Sequence, residues 1–381
     1  MLPVLLRATA ACSFAYSHSQ CNLSLGSRVW PFRRSPTSRV AGWVCGWFLL
    51  MASAVGQPPG ELIRGDPVPR EVREIYDRGI SYLVRSQGPD GNWPDGYAGP
   101  GTTGLALMVF LASGEDPNYG KYREPIRLAM RAIIEAQDPV TGYLGDSMYQ
   151  HGFATLALAE AYGAVDETDG RSERSDDRIS RPSIAQALEL AVRCAVTSQG
   201  KNPHQAWRYS PSARDADTSV SGSVLMGLLA ARNAGIAVPD KSIDAAVDYF
   251  VSMTGDNGAV GYSGGLGGFG QSIARSSIAC LVFSIAQRKD LPQYSATRHY
   301  VISNMNEESH YVEYARYYQA QALFQADVAA WERWNRRLVR QLKALQNADG
   351  SFSGQFGNAT STSLNLLALA VNYRFLPVYE R

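Results

Sequence analysis

The 381-residue sequence predicts an all-α fold, a closed α/α barrel of six inner and six outer helices, and three observations predict it. One short motif returns in worn copies. Segments with a single apolar helical face alternate with segments that are apolar nearly all round. No β-rich region appears between them, and the connections are Gly/Asp/Pro/aromatic turns.

The motif is clearest at residues 78–93, which read Arg78-Gly79-Ile-Ser-Tyr82-Leu83-Val-Arg-Ser-Gln87-Gly-Pro-Asp-Gly91-Asn-Trp93. It returns as Gln341-Leu342-Lys-Ala-Leu-Gln346-Asn-Ala-Asp349-Gly350-Ser-Phe352, with parts surviving at Gln137…Gly142-Tyr143 and Asp256-Asn-Gly258. A returning period marks a repeat architecture.

The outer helices follow from 3-4-3-4 spacing. Val72, Ile75, Tyr76, Gly79, Ile80, Leu83 and Val84 lie on one face, and the pattern returns from Ile126, Ile184, Ile243 and Trp331, the last running to Leu345. After each comes an apolar segment: 103–112, 153–159, 219–231, 277–286 and 364–370. A helix apolar on all sides is buried on all sides. Residues 296–305 and 314–325 supply a divergent fifth pair, which makes six. An open solenoid would show a more polar inner row and capping repeats, and neither is evident.

Residues 1–54 read as a leader, 55–70 as a linker and 71–381 as the toroid. The leader holds five arginines and no acid, so the rest of the chain stands at −4 against a whole-chain +1. A mildly acidic body excludes a nucleic-acid partner. Arg33-Arg34…Arg39, the apolar run from Val40 to Met51 and the exit Ala52-Ser53-Ala54 form a secretory signal. The apolar core is about 15 residues against the roughly 20 that span a bilayer. The expected destination is therefore secreted or periplasmic, with an uncleaved anchor and a nearby membrane surface as the alternative. Asp166–Arg181 is a mixed-charge insertion, expected to be a solvated loop. Cys194 and Cys280 lie in apolar helical stretches without C-x-x-C spacing and are expected as buried free thiols.

On the residues 78–93 the chain resembles the Gln–Trp repeat of squalene–hopene cyclases. Residues 71–381 resemble the bacterial prenyltransferase and squalene-oxidase repeat proteins, with further likeness in Trp207-Arg-Tyr209, Tyr317-Tyr-Gln-Ala-Gln and Asn372-Tyr373-Arg-Phe-Leu-Pro377. The resemblance implies the α/α toroid of terpenoid cyclases and protein prenyltransferases. It gives Gln87, Trp93, Gln346 and Phe352 a structural role: the amide bonds the start of a neighbouring helix and the aromatic packs beside it.

The chemistry of that superfamily fits less well. A class II cyclase needs a desolvated Asp-x-Asp-Asp to protonate an alkene. Arg214-Asp215-Ala216-Asp217-Thr218 puts Ala216 where the resemblance implies the proton donor. Asp215 and Asp217 are weak catalytic candidates, and an N-cap is the preferred reading of Asp217. No Asp-x-Cys, H-x-x-x-H or H-E-x-x-H spacing supports zinc, so neither metal nor cofactor is expected. Gly265-Leu-Gly267-Gly-Phe-Gly270 and Gly261-Tyr-Ser263-Gly-Gly265 match dinucleotide and nucleophile-elbow patterns, but each lacks the strand its chemistry requires.

Polar and aromatic residues gather at the starts of the inner helices: Thr102, Thr103, His151, Asp217, Arg275, Tyr314, Tyr317 and Thr362. In a barrel these converge on one end of the cavity, a default ligand site. The alternative is that His151 and Arg275 cap helices or pair with Asp217. The sequence therefore points first to an exported toroid that binds or modifies an apolar, isoprenoid-type ligand without the standard cyclase acid. A non-catalytic protein-interaction scaffold stands second. A polysaccharide-acting enzyme, which would need paired carboxylates, stands third.

Overall fold

The computed structural model describes residues 68–166, 182–265, 272–307 and 309–377. The leader, most of the linker, the bulk of the charged insertion and the end of the glycine-rich run lie outside the described residues. Twelve helices fill the described chain: α1 (Arg70–Ser86), α2 (Pro100–Leu111), α3 (Arg123–Glu135), α4 (Met148–Ala161), α5 (Ile184–Lys201), α6 (Thr218–Asn233), α7 (Asp240–Ser252), α8 (Ile273–Ile285), α9 (Pro292–Ser303), α10 (Val312–Ala326), α11 (Val328–Leu345) and α12 (Asn358–Ala370). No strand forms among the described residues; Gln137 with Leu144 and Thr254 with Val260 make isolated antiparallel bridges.

Odd-numbered helices are outer and even-numbered ones inner. In α1 the buried residues are Val72, Ile75, Tyr76, Gly79, Ile80 and Leu83, the face that the spacing predicts. Val84 and Leu345, assigned to the same stripes, are exposed because they fall beyond its buried part. In α6 every residue from Thr218 to Ala231 is buried, as expected of an inner helix. The divergent fifth outer helix starts at Pro292, earlier than its apolar spacing indicates, because proline suits the first helical turn.

The inner helices pack in the order α2–α4–α6–α8–α10–α12, and α12 returns to α2, closing the ring. They can approach closely where side chains vanish. A Cβ on Gly152 in α4 would lie 2.7 Å from the Ser223 backbone in α6, so these two helices meet backbone to backbone.

The repeated motif ties the outer ring. Gln87 donates its side-chain amide to Gly91 O in its own turn (3.1 Å) and to Pro125 O in α3 (3.0 Å). Gln137 bonds Gly142 O and Ala187 O of α5, and Gln346 bonds Gly350 O and Ile75 O of α1. Gln199, outside the motif copies legible in the sequence, does the same with Gln205 O and Ser242 O of α7. Its turn is longer before Trp207, which hides the frame. The motif glycines Gly91, Gly142, Gly258 and Gly350 have φ between +75° and +91°, and a Cβ on any of them would sit 2.1–2.2 Å from a carbonyl of the next outer helix. Glycine is required there by both backbone and space. The aromatic then goes inward: Trp93 and Trp207 are fully buried and donate their indole N–H to Leu83 O and Ala195 O. Truncating either to alanine costs about 3–5 kcal/mol.

Candidate functional site

All six inner helices begin at the end of the barrel where the motif turns lie, so this end is the mouth. The polar residues predicted there divide into three groups.

The first group anchors the motif turns. Thr103 donates to Asn92 Oδ1 (2.9 Å), beside Trp93. The Leu144 amide donates to His151 Nδ1 (3.1 Å), and His151 Nε2 faces Ala191 O of α5 at 3.1 Å. That pairing fixes a neutral ring with its proton on Nε2. Burial is the main force pushing His151 down to about 4, opposed by the Ala191 bond. Arg275 Nε donates to Val260 O (2.9 Å), and the Phe352 amide donates to Thr362 Oγ1 (2.9 Å). Thr102 bonds Tyr97 O and faces Thr360. Ser221, absent from the predicted set, completes the series by accepting from Trp207 N and donating to Trp207 O. His151, Arg275, Thr362 and Ser221 hold the backbone of Leu144, Val260, Phe352 and Trp207, the buried residue of each turn, while Thr103 reaches the Asn92 side chain beside Trp93. His151 bonds outward, to α5, and Arg208 takes the place beside Asp217 that His151 and Arg275 were the candidates for.

The second group crosses the axis. Helices α4 and α10 stand opposite each other in the inner ring. Tyr149 and Tyr314 meet edge-on at 6.2 Å with their hydroxyls 3.4 Å apart. One helical turn on, Phe153 and Tyr317 meet at 6.2 Å. Tyr318 packs against both Tyr314 and Tyr317, at 4.9 and 4.8 Å. Two aromatic rungs therefore bridge the lumen. Tyr149 and Phe153 are the partners that the sequence reading missed; the available signal was an aromatic pair on one face of each helix, spaced i,i+4 on α4 and i,i+3 (Tyr314, Tyr317) on α10.

The third group is the acid. Asp217 has no exposed surface. Its Oδ1 accepts from the amides of Ser219 (2.9 Å) and Val220 (2.8 Å), capping α6 as predicted. Its Oδ2 lies 3.6 Å from Arg208 Nε. Desolvation pushes its pKa up to about 6, against the pull of the Val220 amide, Arg208, the Ser219 amide and Tyr262. Arg208 also pairs with Asp215 through Nη1, donates to Ser263 Oγ and lies over the rings of Tyr209 and Tyr262, 5.6 Å from each. Both candidate acids thus lean on one guanidinium. A proton donor must touch its substrate, and Asp217 is sealed behind Arg208 and the α6 cap.

Exposed Tyr97, Tyr209 and Tyr311 stand around the mouth, with Phe356 packed between Tyr97 (5.8 Å) and Tyr311 (5.6 Å). Among the described residues, no group of three or more His, Cys, Asp or Glu gathers in metal-binding reach, and no helix is long and apolar enough to cross a membrane.

This ring of six helix pairs has solved counterparts. The α-1,6-mannanase GH76A of Salegentibacter sp., an inactive variant with two adjacent aspartates replaced and α-1,6-mannotriose bound, superposes with a TM-score of 0.59 at 8% identity, over 80% of this chain and 99% of that one. The type II terpene cyclase MstE from Scytonema gives 0.55 at 12% identity, over 80% and 99%. A family 76 glycoside hydrolase from a bovine Bacteroides thetaiotaomicron strain gives 0.57 at 9%, over 80% and 78%. The fold is the terpenoid-cyclase-like α/α toroid. No family model matches the chain, and no curated protein matches it by sequence. At these identities the toroid is shared and the chemistry is not carried with it.

Proposed function

We propose that this toroid is non-catalytic and receives a partner at its aromatic mouth. The observation that carries the reading is the pair of rungs, Tyr149–Tyr314 and Phe153–Tyr317, which put side chains on the axis where a buried substrate would lie. The acids support it. Asp217 is enclosed and caps a helix, Ala216 occupies the cyclase donor position that the resemblance implies, and Asp215 shares Arg208 with Asp217. In the Salegentibacter mannanase two adjacent aspartates are the residues replaced in the inactive variant; Asp215 and Asp217 are separated and bound to one arginine. Aromatic residues are enriched in protein interfaces, and Tyr97, Tyr209 and Tyr311 offer such a surface here. The secretory-signal pattern of residues 33–54 supports a partner outside the cytoplasm.

The apolar-ligand reading keeps one observation in its favour. Tyr149 is only half-buried, and a ligand that swung it aside would meet Phe153 and Tyr317, an aromatic lining.

Two measurements separate the readings. A photo-crosslinking residue at Tyr97 or Tyr311 should capture one discrete protein in the native host, while the same residue at Tyr119, in the α2–α3 turn at the opposite end, captures none. Native mass spectrometry of the mature chain from a membrane-containing extract should show bare protein. A stoichiometric isoprenoid lipid, lost on Tyr317→Ala, would overturn the proposal in favour of the ligand reading.

A further inference from the structure

Glu313, in the first turn of α10, is a buried side chain at the mouth whose carboxylate has no bond inside the protein. It is 9% exposed and forms no hydrogen bond or ion pair among the described residues. Arg316, one helical turn on, donates to Asn365 Oδ1 (3.1 Å) instead. Burying a charged group without a partner is costly, so such a group points to something that it meets outside the chain. Asp217 Oδ2 is sealed from solvent, but the Glu313 oxygens are not.

The surroundings of Glu313 fix what it can meet. Its Oε1 lies beside Gly354 in the α11–α12 turn, where a Cβ would come within 2.5 Å of it. Two residues on, Phe356 stacks on Tyr311 at 5.6 Å with 25° between the planes, and Tyr97 meets Phe356 edge-on. Gln355 Nε2 donates to His310 O (2.7 Å), which ties the turns that carry Phe356 and Tyr311 together. Tyr97 and Tyr311 are exposed, and among the described residues no lysine or arginine lies over any of the three rings.

The other side of the mouth shows what such a group of residues holds. There Arg208 lies over the rings of Tyr209 and Tyr262 and pairs with Asp215 and Asp217. The Glu313 side has the carboxylate and the rings but no guanidinium of its own. The wider charge agrees. In the six turns at the mouth the described residues hold nine carboxylates and two arginines, Arg208 and Arg214, whereas the whole body from residue 55 onward stands at only −4. A cationic partner is drawn to this end.

We propose that the mouth takes an arginine side chain of its partner at Glu313, the carboxylate pairing with the guanidinium and the Tyr311–Phe356 pair forming the wall beside it. This rests on the reading of the mouth as a partner site and names what that site recognises. Arginine fits better than lysine, because its planar guanidinium stacks on aromatic rings and meets a carboxylate with two parallel N–H groups.

The test is ligand-detected NMR on the full chain with acetyl-Gly-Arg-Gly-amide, its lysine counterpart and its citrulline counterpart, which keeps the shape and loses the charge. The arginine peptide should bind, the lysine peptide about threefold more weakly and the citrulline peptide at least about tenfold more weakly. Glu313→Gln should weaken arginine binding at least about fivefold while leaving the free protein as stable as before, since the carboxylate makes no bond in it. That stability control separates loss of the site from loss of the fold. Asp146→Asn removes the same charge from an exposed position in another mouth turn. In about 0.15 M salt, where screening acts within about 8 Å, it should leave binding within about twofold. No binding at about 10 mM peptide, lysine or citrulline bound as well as arginine, indifference to Glu313→Gln, or an equal loss in Asp146→Asn overturns the proposal. The mouth reading is judged separately by its crosslink: a protein captured at Tyr311 with a yield unmoved by Glu313→Gln counts against the arginine contact and not against the mouth.

Discussion

Gln346, at the end of the last outer helix, donates its side-chain amide to Ile75 O in the first, at 2.9 Å. The two residues are 271 positions apart, and the bond is the same one that Gln87 makes to α3 and Gln137 to α5. Sequence neighbours and sequence extremes are thus joined by one device, and the closed ring needs no special seam. Lys343 with Glu71, and Arg78 with Asn347 O, add surface links at the same junction. Gln346→Ala removes two hydrogen bonds and should cost about 1–3 kcal/mol. Urea denaturation would check it, and a midpoint unchanged from the wild type would count against the seam being held this way.

Gly350→Ala should be far more damaging than Gly163→Ala, although both glycines have positive φ, +91° and +82°. The left-handed conformation costs any other residue about 1–2 kcal/mol at each site. At Gly163 nothing lies within 4 Å of the new methyl, whereas at Gly350 it would fall 2.2 Å from Arg78 O. That carbonyl belongs to α1, so relief means pushing the first outer helix away from the last. Thermal unfolding of the pair should show a small drop for Gly163→Ala and a drop several times larger for Gly350→Ala.

The ring was legible because its two signals are local. Helical spacing marks which face of α1 or α11 is wet, and the glutamine–glycine frame writes each tie within a few residues. The mouth was only half legible, for a geometric reason. Thr103, His151, Arg275 and Thr362 sit at the predicted helix starts, but a helix start faces both the axis and the wall, and their bonds go to the turns. Tyr314 and Tyr317 do face the axis, against Tyr149 and Phe153 on a helix 165 residues away in the case of Tyr149. No local pattern names a partner across a ring. Arg208 was missed for a related reason: its pairing with Asp215 and Asp217 depends on how a long turn folds back.

Cys194 and Cys280 are both buried and free, as their apolar settings suggested. Desolvation pushes their thiols up to about 11 and about 12. Since the thiolate is the nucleophile, neither should react with iodoacetamide in the native protein at mildly alkaline pH, and both should react in urea. Peptide mapping would read the two sites separately; rapid native labelling at Cys280 would mean that α8 opens.

Asp217 and His151 should oppose each other in acid. The folded pKa of Asp217, about 6, lies above the ordinary aspartate value of 3.8, so the folded state holds the proton more tightly. Its contribution is present at low pH and lost as pH rises from about 4 through 6. The folded pKa of His151, about 4, lies below the ordinary histidine value of 6.5. Its contribution is present above pH 6.5 and lost as pH falls towards 4. Each shift corresponds to about 3 kcal/mol at most, with opposite slopes over nearly the same window, so in the wild type they largely cancel. Asn caps a helix as well as Asp does and does not titrate. Asp217→Asn should therefore be at least as stable as the wild type at neutral pH, and should uncover the His151 slope as a loss of stability between pH 6.5 and 4. Urea midpoints across that range, wild type against variant, decide it. Parallel curves would mean that Asp217 is already ionised at pH 5 and that its burial is compensated by Arg208.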